Sequence, residues 1–195
     1  MIEPYIRPHY QKILGDPVAS CLGKFLSPNH LTLLSIVIGL AIMPALYYGQ
    51  TMLALCLLFI SGGLDSLDGT VARLFHKASP YGTALDIGGD RIVEFAVLLG
   101  LFLVSPETRA LDSLIMLGSI LICVTSFLIV GVFSENNSKK SFHYSPGLIE
   151  RLEAFAFFGG MILFPSLFHL LAFLFSFLVF LTALMRMIEF KKAVS

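Results

Sequence analysis

Four aspartates, Asp65, Asp68, Asp86 and Asp90, lie in a stretch flanked on both sides by apolar, membrane-like sequence. A carboxylate placed in hydrocarbon costs about 3 kcal/mol or more, so acids inside a membrane segment mark a site with a partner. Four mutually repelling charges call for a hard divalent cation, which carboxylate oxygens suit best. Asp65 and Asp68 are three apart and Asp86 and Asp90 four apart, so each pair shares one face of a helix. Asp65, Asp68, Gly69 and Ala72 form one stripe, and Gly82, Asp86, Gly89 and Asp90 another. Each stripe mixes acids with residues that have almost no side chain, which lets a helix or a ligand approach the backbone. Arg73 lies just over one turn beyond Asp68, within reach of a phosphate drawn in by metal. Helix capping, or balancing Arg73 and Arg91, would account for one such aspartate but not for four with interleaved glycines.

The surroundings fit a membrane. The chain has 195 residues, 56% hydrophobic and 13% charged, too apolar for an ordinary soluble domain. Its length suits one domain of about six spans at ~20 residues each. The expected fold is all-α and integral to the membrane: an amphipathic interfacial helix within residues 1–26, then a six-helix bundle over 31–190. Tyr5, Ile6, Tyr10, Ile13 and Leu14 recur at helical spacing among Arg7, Lys12 and Lys24, the pattern of a helix lying in the headgroup region. Ser27-Pro28-Asn29 breaks the chain and caps the first span. The spans are expected at Leu31–Tyr48, Met52–Phe75, Thr83–Val104, Ala110–Phe133, Gly147–Phe164 and Leu167–Phe190. Loops are expected at His76–Tyr81, Ser105–Arg109 and Ser134–Pro146. No cleavable signal peptide is expected, and Cys21, Cys56 and Cys123 read as reduced packing residues.

Charge asymmetry gives the orientation. With the N-terminus cytoplasmic, Arg7, Lys12, Lys24, Lys77, Lys139, Lys140, Lys191 and Lys192 fall on the cytoplasmic side, leaving Arg109 for the opposite loops. Both halves of the aspartate pattern then sit at the cytoplasmic ends of adjacent spans, where an aqueous and a lipid substrate can meet. A cation transporter is the competing class. No ladder of polar residues crosses to the other face, and span six is apolar from Leu170 to Leu184 apart from Ser176 and Thr182.

The run Asp65-x2-Asp68-Gly69-x2-Ala72-Arg73-x8-Gly82-x3-Asp86-x3-Asp90 resembles the signature of the CDP-alcohol phosphatidyltransferase family, with every defining position present. The resemblance implies an enzyme of phospholipid biosynthesis, a homodimer. Asp65, Asp68 and Asp86 would ligate two magnesium or manganese ions, and Asp90 would act as general base. Gly69, Ala72, Arg73 and Gly82 would accommodate the cytidine nucleotide of CDP-diacylglycerol. An acceptor hydroxyl would attack the phosphorus attached to diacylglycerol, and CMP would leave. A bacterial cytoplasmic membrane is the expected location, and nucleic acid is not expected as a partner.

The resemblance implies a small polar alcohol as the acceptor. A phosphorylated one, such as glycerol phosphate or inositol phosphate, needs Arg or Lys near the site, and Arg91, Lys139, Lys140 and Arg151 are the candidates. The stretch Pro146–Ala154 resembles the region of inositol-phosphate-type members that carries two arginines, but Ala154 stands near the place of the second. Serine or inositol therefore stays open as an alternative. Lys139 and Lys140 also read as ordinary cytoplasmic loop charge, and Arg91 as a helix partner of Asp90 or Glu94.

Overall fold

The computed structural model describes residues 15–133 and 148–194. The expected interfacial helix up to residue 14 and the polar loop carrying Lys139 and Lys140 lie outside the described residues. The described chain is helical: α1 (Asp16–Leu22), α2 (Pro28–Leu40), α3 (Ile42–Tyr47), α4 (Thr51–Leu74), α5 (Pro80–Leu103), α6 (Pro106–Phe133), α7 (Arg151–Leu163), a 3-10 turn (Pro165–Leu167) and α8 (Phe168–Val194). It divides into two compact units that meet in sequence at Glu107 and Thr108.

Local chemistry sets the helix ends. Ser27 accepts a hydrogen bond from the His30 amide at 3.4 Å, with Pro28 in the first turn, so α2 begins a turn before the expected Leu31. The expected single span to Tyr48 is interrupted at Ala41. Pro44 has no N–H to donate to Leu40, and the run resumes as α3. Ser79 caps α5 in the same way, accepting from the Gly82 amide at 3.0 Å with Pro80 next, so α5 starts within the expected loop. The segment 106–109, expected as loop, is the first turn of α6. Glu150 and Glu153 form a reciprocal capping box, and α7 begins there rather than at Gly147.

Four stretches among the described residues are long and apolar enough to cross a membrane: Pro28–Tyr47, Thr51–Leu74, Pro106–Phe133 and Pro165–Ala193. Helix α5 matches them in length at 24 residues but carries Asp86, Asp90, Arg91 and Glu94. Helix α7, with 13 residues, is about 20 Å long, short of a hydrocarbon core of about 30 Å.

In the first unit, α2 packs against both α4 and α5, and α3 does the same further along; α1 rests on α4. Helices α4 and α5 approach one another much less closely than either approaches α2. Ser35 and Ser61 tie α2 to α4, each hydroxyl donating to the other residue's carbonyl at 2.9 Å. On the α5 side, a Cβ added to Gly89 would sit 2.7 Å from Ile36 Cδ1, so any larger residue would displace the Ile36 side chain. Helix α2 is therefore a shared backing, and the space between the two aspartate-bearing helices stays open.

In the second unit α7 packs on α8, with Phe158 and Phe175 rings 5.4 Å apart. Arg186 of α8 reaches α6: its guanidinium donates to the Cys123 carbonyl at 3.0 Å and to Ser126 Oγ at 3.3 Å, and lies over the Phe127 ring. Arg109 stacks on Phe168 at 4.2 Å, and Asp112 pairs with His169 at 2.6 Å. Gly159 is buried and Gly160 lies against Leu171, so this glycine pair serves packing within the chain.

Candidate active site

The aspartates of α4 and α5 converge. One carboxylate oxygen from each of Asp65, Asp68 and Asp86 lies within 4.8 Å of the others. Asp65 is 7% and Asp68 5% exposed, and Asp86 is half-buried. Three carboxylates held this close in a low-dielectric setting repel one another strongly. An all-oxygen donor set at this spacing fits a hard divalent cation.

Asp68 has a protein partner as well. Thr32 of α2 donates from Oγ1 to Asp68 Oδ2, and both side chains are buried. Thr32 stands one turn into α2 and fixes the carboxylate from the backing helix. The contact links residues 36 positions apart. The nearest sequence signal is Asn29-x2-Thr32, two polar residues on one face at the start of an apolar span.

A cleft opens beside the cluster. Asp68, Gly69, Ala72, Gly82 and Asp86 line it, together with Pro28, Asn29 and Thr32 from α2, Lys77, Ala78 and Ser79 from the α4–α5 connection, and Thr83. Three of the four residues expected around the nucleotide thus line one cleft. A Cβ on Gly82 would come 3.1 Å from both Asn29 Oδ1 and Ser79 Oγ, so any larger residue would crowd the polar groups there. Arg73, the fourth, stands beside the cleft rather than in its wall, and donates to Thr70 Oγ1 at 3.2 Å. Asn29, Thr32, Lys77, Ser79 and Thr83 were not singled out by spacing.

Asp90 is half-buried and sits outside the three-carboxylate group. Arg91 lies 3.7 Å from Asp90 and 2.8 Å from Glu94, the helix pairing that the sequence offers as its ordinary role. Of the other acceptor candidates, Lys139 and Lys140 are outside the described residues. Arg151 opens α7 in the second unit.

Comparison with known proteins extends this beyond the motif. The chain is 29% identical over 193 residues to the inner membrane protein YnjF of Escherichia coli, covering 95% of this chain and 93% of that one. It is 39% identical over 88 residues to an archaetidylinositol phosphate synthase of Aeropyrum pernix, 45% of each chain. Its fold matches that of Mycobacterium tuberculosis phosphatidylinositol phosphate synthase, solved with CDP-DAG bound, at a TM-score of 0.74 and 21% identity, over 91% of this chain and 93% of that one. The apolar helices and the Escherichia coli relative support an integral inner-membrane protein. The sequence profile of one family runs from residue 25 to residue 188, through the backing helix, both aspartate helices and most of the second unit, and on that breadth the chain belongs to the CDP-alcohol phosphatidyltransferases.

Proposed function

We propose that this protein transfers the phosphatidyl group of CDP-diacylglycerol to a hydroxyl of a small polyol phosphate, releasing CMP. The observation that carries the reading is the meeting of Asp65, Asp68 and Asp86 beside a cleft walled by Gly69, Ala72 and Gly82. These three carboxylates would hold two magnesium or manganese ions. Such a pair would supply neutralisation of the charge on the phosphate and on the entering and leaving groups.

The remaining work falls to the chain itself. Thr32 holds Asp68 in place. The small residues let the nucleotide lie against backbone, and Arg73 adds positive charge beside it. Asp90 takes the proton from the acceptor hydroxyl. The acceptor oxygen forms a bond to the phosphorus that carries diacylglycerol, and the bond from that phosphorus to the CMP oxygen breaks. Arg91, paired with Asp90 and Glu94, sits next to the base; Lys139, Lys140 and Arg151 are the further cations proposed for a phosphorylated acceptor.

The relatives named for inositol phosphate products favour a phosphorylated polyol. Ala154, in place of a second arginine, favours an unphosphorylated acceptor such as serine or inositol, and this is the second reading. The whole chain would act as one domain of six spans with an N-terminal interfacial helix, as a homodimer, with the site open to the cytoplasm.

Purified protein in lipid nanodiscs, given CDP-diacylglycerol, manganese and a panel of glycerol phosphate, inositol phosphate, inositol and serine, should release CMP with at least one of them. Silence across the panel, under conditions where an established relative turns over, would sink the reading. Asp90→Asn should lower kcat by about 100-fold or more, as expected for loss of a general base, while manganese binding persists. A wild-type rate would remove Asp90 from that role.

A further inference from the structure

We infer that Lys77 grips the diphosphate of the cytidine-linked lipid, and that the ring of Phe75 positions it. The inference rests on the proposed function and names a residue that the aspartate pattern does not contain.

Among the described residues, Lys77 is the one cation in the wall of the cleft, which it shares with Asp68 and Asp86. No carboxylate among the described residues pairs with its ammonium group. A diphosphate entering a site already lined by acids needs positive charge from the protein as well as from bound metal. A lysine is a compact point charge on a flexible stem, suited to a phosphate that arrives and leaves.

The backbone delivers Lys77 to this wall by a defined turn. Helix α4 ends at Leu74, and His76 takes a left-handed conformation with φ 53°. The His76 amide bonds back to the Arg73 carbonyl at 3.4 Å and the Lys77 amide to the Ala72 carbonyl at 2.9 Å. These two bonds close the helix in the manner of a Schellman turn. Lys77 is thereby locked one turn beyond Ala72, two residues before the cap of α5.

The ring of Phe75 then limits where the side chain can go. The Lys77 ammonium lies 5.6 Å from the ring centroid, within cation–π range. The ring itself is wedged against Gly23 and packs on the core of Ala19, Leu31 and Val71. Helix α1 and the start of α2 thus fix the ring, and the ring steadies the lysine.

The test uses full-length protein in nanodiscs with manganese. Calorimetry gives the Kd of CDP, and steady-state assays give KM for CDP-diacylglycerol and for the acceptor. Lys77→Gln should weaken CDP binding and raise the donor KM by about tenfold or more, the effect of losing one hydrogen bond to a charged group. The acceptor KM should stay within about twofold. Lys77→Arg should recover most of the loss, and Phe75→Leu should raise the donor KM by a smaller factor without a matching fall in kcat. Unchanged CDP affinity and donor KM in Lys77→Gln would overturn the assignment, as would a shift confined to the acceptor. If the wild type turns over but Lys77→Gln matches it, only the lysine assignment falls. If the wild type binds CDP through Lys77 but transfers nothing, the lysine assignment stands and the proposed reaction falls.

Discussion

Thr32 shows how one hydroxyl can govern the proposed metal site from outside the three carboxylates. It donates to a buried carboxylate that is grouped with two more carboxylates. Removing such a supporting partner typically costs 10–100-fold in metal affinity. Thr32→Val, which keeps the shape and drops the donor, should raise the manganese concentration for half-maximal activity by about tenfold or more. Thr32→Ser should stay close to wild type. An unchanged manganese requirement in the valine variant would show that Asp68 is held by other means. The aspartates were legible in the sequence because helical spacing alone puts acids and small residues on one face. Thr32 and Lys77 were not. Each owes its importance to a contact or a turn made by folding, and each looks in isolation like an ordinary span-start threonine or loop lysine.

At the level of elements, the site depends on two helices leaning on a third. Gly89 allows α5 to reach α2, and Ser35 with Ser61 fastens α4 there. Gly89→Val would drive methyl groups into Ile36. Overpacking of this kind typically costs about 1–3 kcal/mol. It should also move Asp86 away from Asp65 and Asp68, so activity should fall further than the loss of thermal stability alone explains. A variant with normal activity and an altered melting temperature would separate packing from the site. Apolar runs made most helices legible, but their ends were not. Ser79 with Pro80, and Pro106 after Ser105, look like loop residues until one sees that they start helices. The kink at Ala41 was hidden for a different reason. Pro44 lies in an apolar run, and hydropathy does not register the hydrogen bond that it removes.

For the whole molecule, the described cleft and carboxylate cluster lie within residues 28–86, inside the first compact unit. A cation bound by the folded protein and not by the unfolded chain stabilises it by mass action, about 2.7 kcal/mol at a concentration 100 times Kd. Manganese should therefore raise the melting temperature of the wild type in nanodiscs, and a chelator should reverse the rise and stop CMP release. Asp65→Ala should show neither response. A manganese-induced rise that survives in this variant would place the cation elsewhere. Membrane character, helix content and the grouping of the aspartates were thus open to reading from residue types and intervals. The division into two units was not, because it depends on which helices touch. Chains leave the ribosome N-terminus first, so α2 enters the bilayer ahead of both acid-bearing helices. Each charged segment therefore finds a surface waiting for it as it emerges, and neither must linger in lipid with its carboxylates unsheltered until a later helix arrives.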